Sequence, residues 1–159
     1  ASALNSLKDL KNINFLTVHA AGGYEMMKIA KKASKKINKK IKILGVTVLT
    51  SFSEKSLKKT GHTKSIKKIV IEQSRLAMKA GLDGIICSAH EVKFIRKICK
   101  GKMIITPGIR LQGDKVQDQM RVMTPQKAFK NKSDAIVIGR SITEGNIKKN
   151  ILKLINSFK

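Results

Sequence analysis

Five short apolar runs punctuate the chain: Phe15-Leu-Thr-Val-His19, Ile43 to Ser51, Gly84-Ile-Ile-Cys-Ser88, Met103-Ile-Ile-Thr-Pro107 and Ala135-Ile-Val-Ile-Gly139. Each is rich in β-branched residues and bounded by Gly, Pro or polar positions. Their nearly continuous apolar character reads as parallel strands covered on both faces. Between them the period changes to that of a helix. Glu25 to Asn38 places Met26, Ile29, Ala30, Ala33 and Ile37 on one stripe, with lysines elsewhere. Ser65 to Lys79 places Ile66, Ile69, Val70 and Leu76 on one side, with Gly81 as the C-terminal stop. Val92 to Cys99 predicts a shorter helix that closes near Gly101. Thr124 reads as an N-cap before Pro125 at the first helical position, opening a helix through Phe129. Asn146 to Phe158 ends the chain with Ile147, Ile151, Leu154, Ile155 and Phe158 at helical spacing, which predicts a terminal helix docked on its neighbours.

The order is a strict alternation of strand and helix. It predicts an α/β fold with a parallel sheet and right-handed crossovers, in a single domain spanning residues 1–159. A closed barrel and an open doubly wound sheet both fit that order. No G-x-G-x-x-G follows the first run, which weakens a dinucleotide-binding open sheet.

Composition narrows the function classes. Among 159 residues, 34 are Lys or Arg and 10 are Asp or Glu, for a formal charge of +24. At 42% hydrophobic the chain is too apolar to be disordered. No run of about 18 uncharged apolar residues predicts a membrane span, and Ala1 to Asn12 lack the basic-then-apolar pattern of a secretory signal. Only five of the basic residues are Arg. The excess is Lys scattered along helix faces, at positions that solvate it and attract polyanions without specificity. A nucleic-acid-binding module is therefore a third-rank reading. The six aromatics it would need for base stacking, Phe15, Tyr24, Phe52, Phe94, Phe129 and Phe158, fall mostly at core-like positions. Cys87 and Cys99 are too few for a disulfide scaffold and point to buried thiols in a reducing, cytoplasmic compartment. His19, His62 and His90 stand at unrelated spacings without a carboxylate cluster, so no metal site is predicted. The methionines read as core filler.

The polar residues hardest to explain as surface or core recur where a run ends. His19 ends the first, Thr50 and Ser51 the second, and Ser88 the third. Thr106, Gly108 and Arg110 end the fourth, and Gly139 and Arg140 the fifth. In a β/α barrel these ends form the active-site face, and phosphate sites use the loops after the last two strands. Glycine lets backbone N–H groups approach an oxyanion, and an adjacent Arg supplies a planar fork of donors that suits phosphate. The polar stretch from Leu111 to Gln119 has no regular period and is long enough to close over a ligand. Gly22-Gly23, which opens a helix, reads equally as a tight turn or an anion contact.

A resemblance becomes specific at this point. Val18-His19-Ala-Ala-Gly-Gly23, Val46 to Ser51, Gly81 to Ser88, Thr106-Pro-Gly-Ile-Arg110, Asp118-Gln119 and Ile138-Gly139-Arg140 occur in one order. Together they resemble the bacterial type of orotidine 5′-phosphate decarboxylase, over essentially the whole chain from Asn14. The resemblance implies a (β/α)8 TIM barrel that works as a homodimer without cofactor or metal. It implies conversion of orotidine 5′-monophosphate to uridine 5′-monophosphate and carbon dioxide. By match to the family motifs, Gln119, Gly139 and Arg140 would grip the 5′-phosphate, Arg110 would belong to the substrate-binding set at the closing loop, and Thr50 would lie at the pyrimidine end. Another phosphosugar-binding barrel decarboxylase or synthase is the alternative.

The same resemblance sets expectations about what is absent. The family's catalytic Lys and Asp lie in its first strands and in a motif of the form Asp-x-Lys-x-x-Asp-Ile-Pro-Asn-Thr. No such motif occurs here, and Lys8-Asp-Leu-Lys11 sits in a helical segment without the pattern that should follow. A barrel takes eight units in about 250 residues. The chain is accordingly expected to be a C-terminal portion with about five units, to carry no catalytic residue, and to be inactive alone. Two unpaired sheet edges predict marginal stability or aggregation.

Overall fold

A computed structural model describes residues 4, 6, 7, 12–114 and 119–158. The Lys8–Lys11 segment and Asp118 lie outside the described residues. Five parallel strands pair in chain order: β1 (Phe15–His19), β2 (Lys42–Val46), β3 (Gly84–Ile86), β4 (Met103–Thr106) and β5 (Ala135–Ile136). Helix α1 (Gly23–Ile37) follows β1 after a 3-10 turn at Ala20–Gly22. The β2–β3 crossover contains α2 (Glu54–Lys59) and α3 (Ile66–Lys79), and α4 (Val92–Ile95) joins β3 to β4. Helix α5 (Pro125–Lys130) precedes β5, and α6 (Arg140–Thr143) and α7 (Ile147–Asn156) follow it. A doubly wound sheet reverses its strand order at a switch point. Each step here moves to the next neighbour in one direction, which is the winding of a barrel wall. The pairing steps up by two residues at β2/β3, where Leu44 meets Gly84, and again at β4/β5, where Ile105 meets Ala135. That stagger tilts the strands as barrel closure requires.

Three of the predicted strands stop early. The runs through Ser51, Ser88 and Gly139 are strand only to Val46, Ile86 and Ile136. One more ladder bond follows each, from Thr47 N to Ile86 O (2.9 Å), Cys87 N to Ile105 O (3.3 Å) and Val137 N to Thr106 O (2.9 Å). Beyond that the chain turns out into loops. The Thr124 cap and the Gly81 stop are as predicted, and two further caps stand at the first residues of predicted stretches. Ser65, Thr124 and Asn146 each cap a helix through the side-chain oxygen. Gly81 N donates to Met78 O and Leu82 N to Ala77 O, a Schellman ending with Gly81 at φ +79°. Helix α2, which the sequence analysis missed, begins with a Ser53–Ser56 capping box. Helix α4 ends at Ile95 rather than Cys99, the chain continuing in turns to Gly101.

The two faces of the sheet differ sharply. Val18, Gly45, Ile85 and Ile104 stand in one register row facing α1 and α3, and Ile43, Ile85 and Ile104 are fully buried with Met27, Val70 and Leu82. The opposite face carries His19, Val46, Ile86, Ile105 and Ala135 in another row. None of these five is buried, although Leu44, one row back on the same face, is 1% exposed. Among the described residues β1 pairs only with β2, and β5 only with β4.

Those open edges explain where the predicted stripes depart from the observed burial. In α1 the buried positions are Met27, Ala30 and Ser34, while Ile29 is 51% exposed. Ile29 and Met26 line an apolar groove of about 550 Å3 with Leu16 and Val18, beside the open edge of β1. In α3, Ser74 and Ala77 are buried and Leu76 lies at the rim. A Cβ on Gly45 would stand 3.3 Å from that of Ala77, so small residues let the helix sit close on β2 and swing Leu76 outward. The docked terminal helix is corrected most. Ile147, Ile151, Ile155 and Phe158 are all exposed. Helix α7 is held instead by Asn150 Nδ2 to the Ile142 and Glu144 carbonyls (3.1 and 2.7 Å), by Gln126 to the Ser157 carbonyl, and by Phe158 against Phe129 at 5.8 Å. Phe15, Phe129 and Phe158 are exposed rather than core, and Met120 is 62% exposed rather than filler.

At the amino ends of the strands one device appears twice. Asp83 precedes β3; its amide donates to Ile43 O (2.9 Å) and its carboxylate accepts from Ile43 N (2.8 Å) and pairs with Lys31. Asp134 precedes β5; its amide donates to Ile104 O (2.9 Å) and its carboxylate accepts from Ile104 N (2.7 Å) and Arg96 (2.7 Å). Each aspartate thus latches the adjacent strand and is itself neutralised by a cation.

The contrast between faces is testable. Ile85→Ala, on the helix-facing side, is expected to cost about 2–5 kcal/mol in urea unfolding. Ile86→Ala, on the half-exposed side, should cost less than half as much, and equal losses would show that the inward face is packed.

Candidate functional site at the carboxyl ends of the strands

Parallel pairing brings every strand's carboxyl end to the same side, opposite the aspartate latches. Beyond β2 the chain carries Thr50, which is 6% exposed. Its hydroxyl donates to Gln119 Oε1, and its carbonyl accepts from Met120 N and Arg121 N at 3.2 Å each. Three hydrogen bonds therefore tie the loop after β2 to the segment that returns toward α5. Thr50 and Gln119 line a cavity of about 260 Å3 together with Val46, Val48, Ile86 and Pro107. Val46 and Ile86 in that lining belong to the inward face of the sheet, so the cavity opens on the barrel's interior.

Thr106-Pro-Gly-Ile-Arg110 folds against the same place. Gly108 takes φ +73°, a region that side chains disfavour, and a Cβ there would lie 3.0 Å from the Arg121 carbonyl and 3.1 Å from Thr50 Cγ2. Glycine is required on both counts. Met123 N donates to Gly108 O (3.0 Å) and Arg110 N to Met123 O (3.1 Å), so the chain at Gly108–Arg110 and at Met123 is drawn together into a closed neck. Arg110 is buried, and its Nη1 donates to the Ile109 carbonyl at 3.0 Å. Past the neck, Asp114 accepts from Leu111 N (3.1 Å) and from Lys153 of α7 (3.4 Å). Burial raises its carboxyl pKa, but bonds from Ser141, Leu111 and Lys153 outweigh this and hold it below the ordinary range.

Gly139 and Arg140 sit beyond β5. Gly139 is exposed, and its carbonyl accepts from Ile142 N (2.8 Å) as α6 begins. Arg140 is half-buried at the first position of that helix. The structure thus joins Thr50 and Gln119 directly and places Arg110 on the adjoining neck. Gly139 and Arg140 lie on the same side of the sheet but outside the lining of the Thr50–Gln119 cavity. His19 ends β1 exposed and lines no part of it, while His90 Nε2 contacts the Val122 carbonyl at 3.0 Å. Among the described residues no three His, Cys, Asp or Glu side chains come together as metal ligands, and no helix is long and apolar enough to cross a membrane.

One part of the site went unread in the sequence: the buried Glu91–Arg121 ion pair beneath Thr50. Its available signal was the scarcity of acids, which makes a Glu just after a strand end worth pairing. The two thiols are free and buried. Burial, followed by the neighbouring Cys99, drives the Cys87 pKa far above its ordinary value, and burial pushes Cys99 up to about 11. Raised values mean that both thiols stay protonated at pH 8. The native chain is therefore expected to leave Cys87 and Cys99 unmodified by iodoacetamide at pH 8, and the urea-unfolded chain to react at both. Modification of Cys87 in the native chain, read by mass spectrometry, would contradict the burial described.

The model of the orotidine 5′-phosphate decarboxylase / HUMPS family matches residues 3–154. The chain is 42% identical over 159 residues to an orotidine 5′-phosphate decarboxylase of Actinobacillus pleuropneumoniae, covering 99% of this chain and 69% of that protein. It is 44% identical over 156 residues to the orotidine 5′-phosphate decarboxylase of Buchnera aphidicola, covering 98% of this chain and 64% of that protein. The crystal structure of orotidine 5′-phosphate decarboxylase from Lactobacillus acidophilus superposes with a TM-score of 0.77 at 32% identity, over 99% of this chain and 70% of that one.

Proposed function

The chain belongs to the orotidine 5′-phosphate decarboxylase / HUMPS family, and from that premise we propose that its five βα units form the nucleotide-binding wall of a decarboxylase. The substrate is orotidine 5′-monophosphate, the products are uridine 5′-monophosphate and carbon dioxide, and the setting is pyrimidine biosynthesis. The observation that carries this reading is the Thr50–Gln119 hydrogen bond across a cavity at the carboxyl ends of the strands. It joins the residue assigned to the pyrimidine end to one assigned to the phosphate. Arg110, Gly139 and Arg140 complete the substrate-binding set on the same side. Relatives named as orotidine 5′-phosphate decarboxylases favour this chemistry over another phosphosugar enzyme of the family. A homodimer in the cytoplasm belongs to the same reading, and the free, buried thiols agree with a reducing compartment.

In the reaction the bond from pyrimidine C6 to the carboxylate breaks, carbon dioxide leaves, and the electron pair stays on C6 until a proton arrives. A protonated Lys near C6 and preplaced carboxylates would stabilise that charge. The Lys–Asp motif of the family's third strand does not occur in this chain. What these units contribute is the grip on the remote phosphate, which can supply binding energy to the transition state without touching the reacting carbon.

Two measurements test the proposal. Titration with uridine 5′-monophosphate should show binding that Arg140→Ala weakens by about 1.5–3 kcal/mol, the loss of a charged hydrogen-bond partner. Unchanged affinity would remove Arg140 from the site. The purified 159-residue chain should give no turnover of orotidine 5′-monophosphate, and measurable carbon dioxide release would show that the chemistry lies within these units.

A further inference from the structure

Arg121 lies two residues after Gln119 and reaches three parts of the molecule at once. One guanidinium nitrogen pairs with Glu91 Oε1. The other donates to the Val48 and Leu49 carbonyls, at 3.1 and 3.0 Å, in the loop that leads from β2 to Thr50. Glu91 is 3% exposed, and its second oxygen accepts from Ser88 N at 2.8 Å, just beyond β3. Through its main chain Arg121 donates to the Thr50 carbonyl, and its own carbonyl closes over Gly108. The ends of β2, β3 and β4 therefore converge on one residue, the first two on its side chain and the third on its main chain.

Neither Arg121 nor Glu91 lines the cavity that Thr50 and Gln119 share. The arrangement also has a cost: Arg121 Nε is buried and finds no partner among the described residues. Arg96 Nε in the Asp134 latch is unpartnered too, so what sets Arg121 apart is its reach: it spans acceptors on two separate loops, with its charge neutralised from behind by a carboxylate that is itself fixed on a backbone amide. Removing it would leave Glu91 as an unpaired buried charge and release Val48 and Leu49. The segment that carries Gln119 and Arg121 would then be free to shift against the loop after β2, and the Thr50–Gln119 contact spans those two.

We infer that Arg121, backed by Glu91, is a positioning residue that holds Thr50 and Gln119 at the separation the nucleotide requires. The inference rests on the reading of Gln119 as a nucleotide contact. It assigns Arg121 an effect on affinity that is exerted through Gln119, not merely an effect on stability.

A double-mutant cycle on the full 159-residue chain separates the two, with uridine 5′-monophosphate titrated calorimetrically and thermal unfolding followed in parallel. Arg121→Gln should weaken nucleotide binding about tenfold when Gln119 is present, and by less than about twofold when Gln119 is already Ala. Its loss of thermal stability should be the same in both backgrounds. Glu91→Gln, which keeps the shape and removes the charge, should show the same dependence on Gln119; it replaces Arg121→Gln in the cycle if that variant does not unfold cooperatively. An equal loss of affinity in both backgrounds would make the pair structural only and overturn the inference. If Gln119→Ala alone leaves affinity unchanged, or the unsubstituted chain does not bind, the reading of the site falls first and the inference with it. That outcome is distinguishable because it appears on the edge of the cycle that contains no change at Arg121.

Discussion

Every feature of this chain depends on parallel pairing in chain order. A parallel strand can meet its neighbour only after a crossover, and right-handed crossovers lay each helix on the same side of the sheet. Repeated four times in one direction, this gives a curved wall with helices outside and strand tips aligned along one rim. The residues proposed to bind and the residues that latch the strands are thereby separated. Thr50, Gly108, Arg110, Gln119, Gly139 and Arg140 stand at the carboxyl rim. Asp83 and Asp134, with Lys31 and Arg96, latch the opposite one.

The use of charge follows from scarcity. With 10 acids against 34 bases, a carboxylate is the rarer resource. Asp83 and Asp134 each serve a strand amide and a cation, Glu91 serves Ser88 and Arg121, and Glu54 accepts the first amide of α3 at 3.0 Å. The lysines need less. Apart from Lys31 in its latch, most stand in water, and some lie over rings, as Lys28 and Lys79 do at 5.3 and 5.4 Å from the Tyr24 centroid. The high net charge is thus a property of the solvated helix faces, while the interior is organised by a few aspartates and glutamates.

How much of this could be read beforehand varies with the kind of information involved. The strands and the longer helices were legible because their periods, caps and stops are local: Ser65, Gly81, Thr124 and Asn146 do in the structure what their chemistry suggests. The residues at the strand ends were legible as candidates for the same reason. What escaped was non-local. The rotation of the stripe in α3 depends on how closely Ala77 approaches Gly45. The exposure of Ile29 and of the α7 stripe depends on what stands beyond β1 and β5. The Glu91–Arg121 pair joins residues 30 positions apart through a geometry no spacing rule encodes. Even Thr50 and Gln119, both named from the sequence, gained a direct hydrogen bond only in three dimensions.

The order of the strands also bears on how such a wall assembles. Among the described residues each strand meets only its sequence neighbours, as Phe15 meets Lys42 and Gly84 meets Met103. Doubling the length of an intervening loop adds only about 0.6 kcal/mol of closure entropy, so the several crossovers are nearly equivalent kinetically. The sequence in which they zip together is then governed by the apolar surface each one removes from water. On that ground β2, β3 and β4, carrying the fully buried Ile43, Ile85 and Ile104, make the natural nucleus, and the outer strands would add to it as a growing ribbon.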